Sequence, residues 1–104
     1  MVGAQHKAKL MAIEHRFYGT SQPFDDWKTE NFRYLSTEQA LADIAGFLKT
    51  INQNKPDRKV VVVGGSYPGA LSAWFKEKYP HLSIASWASS AVVYPMADFW
   101  KFDN

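Results

Sequence analysis

The sequence contains no cysteine, which excludes disulfide stapling and thiolate chemistry and leaves no mark of a redox compartment. It also lacks any run of like charges. Twelve Lys and Arg are interspersed with ten Asp and Glu, for a net charge of +2, so there is no basic stripe for nucleic acid and no patch for a membrane surface. Long hydrophobic runs are missing too. A long uncharged stretch, Leu82 to Ala97, holds four serines and a proline and falls short of the ~20 predominantly apolar residues of a membrane span. Near the N-terminus only Leu10-Met11-Ala12-Ile13 separates Lys9 from Glu14, too few residues for the core of a signal peptide. There is no internal repeat, no Asn-x-Ser/Thr acceptor and no metal-ligand spacing. Neither a metal nor another cofactor is expected. With 104 residues the chain is one domain or part of one. A hydrophobic content of 46% and an aromatic content of 15% argue for a packed chain over a disordered one.

What is present is an alternation of short apolar runs with amphipathic segments. Leu10 to Ile13, bounded by charge on both sides, reads as a buried strand. His15 to Tyr34, rich in Gly, Pro, Asp, Thr and Asn, reads as a loop. Ser36-Thr37-Glu38-Gln39 matches a capping box, with Ser36 capping a helix and Gln39 reaching back to its amide. Leu41, Ile44, Ala45, Leu48 and Ile51 follow at helical spacing, and Asn54-Lys55-Pro56 ends that helix. Val60 to Val63 is a β-branched run without alternation, the pattern of a parallel strand buried on both faces. Leu71, Trp74, Phe75 and Lys78 define a second helix that stops at Tyr79-Pro80, and Ile84 to Val93 is strand-like. The order strand, helix, strand, helix, strand predicts an α/β fold. It has three mainly parallel strands and two main helices, joined by right-handed crossovers.

One serine stands out. The valine strand runs into Gly64-Gly65-Ser66-Tyr67-Pro68-Gly69 and a helix starts at once, which is the context of a nucleophile elbow. So sharp a turn strains the serine backbone and brings positions two or three residues away into near contact, which accounts for Gly64 and Gly69. The serine oxygen then sits at the C-terminal edge of the sheet, over the free amides and partial positive charge of a helix N-terminus. The Tyr67 amide is the natural oxyanion donor, typically worth about 3 kcal/mol in the transition state. The usual G-x-S-x-G pattern has Gly where this chain has Pro68. Proline suits a first helical turn and biases Tyr67 away from helical dihedrals. The competing reading is a Gly-rich turn that binds an anion; a P-loop is excluded because no Gly-Lys-Ser/Thr follows.

A nucleophilic serine needs a base and an orienting acid, which follow it as acid and then histidine in this type of fold. His81 is the only later histidine. About 13 helical residues at 1.5 Å each place it on the order of 20 Å away, at the opposite sheet edge, which excludes it as the base. His15 ends the first predicted strand on the same edge as Ser66, yet with Glu14 and Arg16 it reads better as a structural polar knot under the loop. His6 reads as a tail residue. Asp98 and Asp103 follow the last strand but have no histidine downstream. Trp74, Phe75 and Trp87 read as core. Phe24, Trp27 and Phe32 read as pins for the long loop in preference to groove linings.

Four ordered blocks carry a specific resemblance: Glu14-His15-Arg16-Phe17-Tyr18-Gly19-Thr20-Ser21-Gln22-Pro23, Tyr34-Leu35-Ser36-Thr37-Glu38-Gln39-Ala40-Leu41-Ala42-Asp43, Gly64 to Phe75, and Tyr79-Pro80-His81. They resemble the serine carboxypeptidase family of lysosomal Pro-X carboxypeptidase, dipeptidyl peptidase II and thymus-specific serine protease. Ala88-Ser89-Ser90-Ala91 resembles the family's next strand end. The resemblance implies that residues 1–104 are the central part of an α/β-hydrolase peptidase domain, with no second domain. It implies Ser66 as nucleophile, acting through an acyl-enzyme on peptides with proline or a small residue beside the cleaved bond, in a lysosomal or secreted setting. The family's Asp and His fall beyond residue 104, so the chain alone is expected to be inactive. The strand between the counterparts of Leu10–Ile13 and Val60–Val63 would precede residue 1, so the isolated chain is expected to be marginal or aggregation-prone. Two other readings stand beside this one: a truncated, inactive product or interaction module, and an esterase or lipase. The Glu-His-Arg-Phe-Tyr-Gly block argues against the last.

Overall fold

In the computed structural model, which describes residues 2–98, a first unit ends at Ala40 and a second begins at Leu41, within one continuous helix. The first unit opens with a single helical turn, α1 (Val2–Gln5). The strand expected at residues 10–13 does not form. Leu10 is 68% exposed, Met11 and Ile13 are also exposed, and among the described residues the sheet consists of two strands elsewhere. An apolar run becomes a strand only when a ladder partner takes up its N–H and C=O groups, and among the described residues nothing pairs with this one.

The loop that follows is held by polar contacts and stacked rings. The Glu14 carboxylate accepts the Ser21 amide at 3.0 Å, the Ser21 hydroxyl at 2.7 Å and the Thr20 hydroxyl at 3.4 Å. These bonds, the Ser21 hydroxyl first, hold its pKa below the ordinary carboxylate value. Arg16 donates to the Tyr34 carbonyl at 2.9 Å and to Gln39 Oε1. Phe17 and Trp27 both lie against Phe32, and Phe24 lies against Tyr34. The 3-10 turn Thr29–Tyr34 supplies the common side of these ring pairs, as expected of pinning residues.

Helix α2 (Thr37–Asn52) starts where the capping box places it. Ser36 Oγ accepts the Gln39 amide at 3.2 Å. The reciprocal bond of the box is replaced, because Arg16 engages the Gln39 side chain. Leu41, Ala45 and Leu48 are buried along one face. At the far end Arg58 donates to the Ile51 carbonyl at 3.2 Å, taking up one of the helix's orphan acceptors.

Strand β1 (Val61–Gly65), helix α3 (Tyr67–Lys78) and strand β2 (Ala85–Ser89) then form a parallel β-α-β unit. The described sheet therefore has two parallel strands where three were expected. Val63 pairs with Trp87 and Gly65 with Ser89. Helix α3 covers one face, burying Ala70, Leu71, Ser72 and Phe75. The other face is open: Val63 is 65% exposed and Trp87 59%. The expectation that the valine run is buried on both faces and that Trp87 is core is thus not met, because a single layer of helix covers the described sheet. Phe75 is core as expected, whereas Trp74 is only half-buried. Strand β2 is also shorter than the expected Ile84–Val93. It stops at Ser90, whose left-handed backbone (φ 47°) takes the chain out of the ladder.

Candidate active site

Ser66 occupies the single residue between β1 and α3, at the C-terminal edge of the sheet, and is exposed. Its backbone has φ 58° and ψ −125°, a region that L-residues other than glycine rarely adopt and that costs on the order of 1–3 kcal/mol. Two bonds hold it there. Its amide donates to the Ser89 carbonyl at 3.0 Å, extending the ladder one step past β1. Its carbonyl accepts the Ala70 amide at 3.1 Å, the first bond of α3. The chain thus turns from strand to helix at one residue.

The glycines on either side make the turn possible. A Cβ on Gly64 would lie 2.1 Å from the Pro68 carbonyl oxygen and 2.8 Å from the Gly69 nitrogen. One on Gly69 would lie 2.7 Å from the Ser89 carbonyl oxygen and 3.1 Å from that of Gly64. The strand end and the first helical turn are therefore in backbone contact, and Gly69 fills the small-residue position although Pro68 stands one place earlier. Gly65 differs: nothing lies within 4 Å of where its Cβ would be, so crowding does not require glycine there. Pro68 sits in the first turn of α3, where an amide has no intrahelical partner to lose. Tyr67 is the first residue of α3, and its side chain is partly exposed.

The other candidates are placed within their own units. His15 lies in the first unit, with Nδ1 2.7 Å from the Arg16 carbonyl and its ring edge-on to Tyr18 at 4.9 Å. Glu14 and Arg16 make separate contacts, with Ser21 and Thr20 and with Tyr34 and Gln39. His81 is exposed in the loop from α3 to β2, at the sheet edge opposite Ser66. His6 and Asp98 are exposed, and Asp103 is outside the described residues.

Two supporting groups escaped the sequence reading. Ser72, 1% exposed, sits with its hydroxyl 3.0 Å from the Val62 carbonyl and 3.3 Å from the Trp87 carbonyl, bridging α3 to both strands. A lone serine on the otherwise apolar stripe of Leu71 and Phe75 was the available signal. The Ser89 carbonyl, which anchors the Ser66 amide, left no signal, since a backbone acceptor has no side-chain identity.

A strained, exposed serine at a glycine-lined strand-to-helix turn meets a matching family model here. The serine carboxypeptidase S28 model matches residues 1–104. The chain belongs to the serine carboxypeptidase S28 family. It is similar to the human lysosomal Pro-X carboxypeptidase, 41% identical over 109 residues, which cover 99% of this chain and 21% of the relative. A Caenorhabditis elegans protein with a provisional serine protease name is 47% identical over 97 residues, covering 91% of this chain and 18% of its own length. The serine protease vicPa of Bipolaris victoriae is 36% identical over 111 residues, covering 99% and 21%. The chain thus spans about a fifth of the length of the curated relatives it matches.

Proposed function

We propose that this chain carries the nucleophile of an α/β-hydrolase-type serine exopeptidase. Ser66 Oγ attacks the scissile carbonyl carbon and passes its proton to a histidine base. The tetrahedral oxyanion is held by the Tyr67 amide at the start of α3, where the helix N-terminus favours negative charge. Collapse breaks the C–N bond, and the base returns the proton to the leaving amine. Water then hydrolyses the acyl-enzyme by the same route in reverse. By analogy with the Pro-X carboxypeptidase relatives, the substrate is a peptide with proline or a small residue next to the cleaved bond, and the setting is lysosomal or secreted.

The observation that carries this reading is the backbone of Ser66, forced into a left-handed conformation between two glycines that admit no Cβ. A chimera tests it. This chain replaces the matching segment of the human Pro-X carboxypeptidase, and the product is treated with a fluorophosphonate probe. Labelling of the chimera that disappears in Ser66→Ala is the expected result. A folded chimera that labels equally with and without the Ser66→Ala substitution removes Ser66 from the nucleophile role.

A further inference from the structure

The sheet edge opposite Ser66 carries a second feature. The turn before β1 (residues 56–60) and the loop before β2 (residues 80–84) line a shallow depression together with Lys76, and the Ile84 amide bonds the Val60 carbonyl across it at 2.9 Å. Three cations, Arg58, Lys59 and Lys76, face one carboxylate, Asp57, and none of them is ion-paired among the described residues. Two are held in place by carbonyls, which orient a charge without cancelling it. Lys76 Nζ donates to the Pro80 carbonyl at 2.8 Å and to that of Ser83 at 2.5 Å. Arg58 spends one N–H on the Ile51 carbonyl and has others to offer. Lys59 and His81 are exposed on the same lining with no partner among the described residues. Ser83 also lines the depression, is 5% exposed, and its hydroxyl has no hydrogen-bond partner. A buried hydroxyl in that state is uncommon and points to a missing acceptor.

We propose that this depression binds a tetrahedral oxyanion, phosphate or sulfate, free or as a monoester. Such a group has several acceptor oxygens, enough to meet ammonium, guanidinium, imidazole and hydroxyl donors at once, and its charge matches the uncompensated cations. The site is independent of the peptidase reading, since it lies at the other end of the strands.

Equilibrium dialysis of the folded chimera with the human Pro-X carboxypeptidase against radiolabelled inorganic phosphate, at ionic strength matched with chloride and with the unmodified human enzyme as baseline, tests it. Saturable binding is expected, weakened at least about tenfold in the surface variant Lys59→Ala/His81→Ala. Binding is expected to persist in Lys28→Ala/Lys49→Ala, which removes charge elsewhere. Competing inorganic sulfate and glycerol monophosphate distinguish a free anion from an ester, the better competitor naming the source. No saturable binding, unchanged binding in Lys59→Ala/His81→Ala, or an equal loss in the control variant overturns the proposal.

Discussion

At Gly64 the strand end and the helix start are separated by less than a methyl group. The Pro68 oxygen in the way belongs to the backbone, so no side-chain rotation relieves the clash. Gly64→Ala is therefore expected to cost about 3 kcal/mol or more. Gly65→Ala, with open space around it and no left-handed φ, is expected to be neutral or to stabilise by about 0.5–1 kcal/mol, because alanine loses less chain entropy than glycine in a strand. Urea denaturation of the two variants, each carried in the chimera with the human Pro-X carboxypeptidase, measures the contrast between adjacent residues of the same type. Equal midpoints would show that the crowding at Gly64 is relieved elsewhere.

The elements respond to different forces. Helix α3 is tied to both strands through Ser72, whose hydroxyl reaches one carbonyl of each. Ser72→Ala removes that donor in a buried place and is expected to cost about 1–2 kcal/mol, read as a lower unfolding midpoint. Its polar role was only half legible, since serine on an apolar stripe signals a bond but not its partner. The loop of the first unit depends instead on a charge. Glu14 is held by Ser21 and Thr20, with its pKa lowered in the folded chain. The contribution is present above the unfolded value and is lost as pH falls through the lower folded value. The protection of the Ser21 amide, measured relative to its intrinsic exchange rate at each pH, is expected to fall across that acidic window in the wild type. In Glu14→Gln the step should vanish. Protection that stays flat in the wild type would remove the carboxylate from the role.

For the whole molecule the decisive feature is a sheet covered on one side. Val61, Val63 and Trp87 stand exposed on it, and both strands of a two-stranded sheet are edges. Such a surface invites pairing with another copy. The isolated chain is expected to self-associate on concentration and to melt without a sharp transition. Val63→Lys/Trp87→Lys is expected to shift the sedimentation profile toward monomer. A monodisperse wild-type chain with a cooperative melt would contradict this account of the open face.

Local chemistry in the amino-acid order was sufficient to set α2, α3, β1 and the turn between β1 and α3. A capping serine, helical spacing of apolar residues, a β-branched run and two glycines around a serine each act within a few residues of chain. Pairing and covering were decided only in three dimensions. Leu10–Ile13 is apolar enough for a strand but finds no ladder. The valine run suits two buried faces but receives one helix. Gln39 fits a capping box, yet its side chain is taken by Arg16, twenty-three residues away. The Ser66 amide is anchored by a carbonyl at Ser89. Each of these outcomes depends on a partner distant in sequence, and a hydrogen bond or a buried face exists only when that partner arrives.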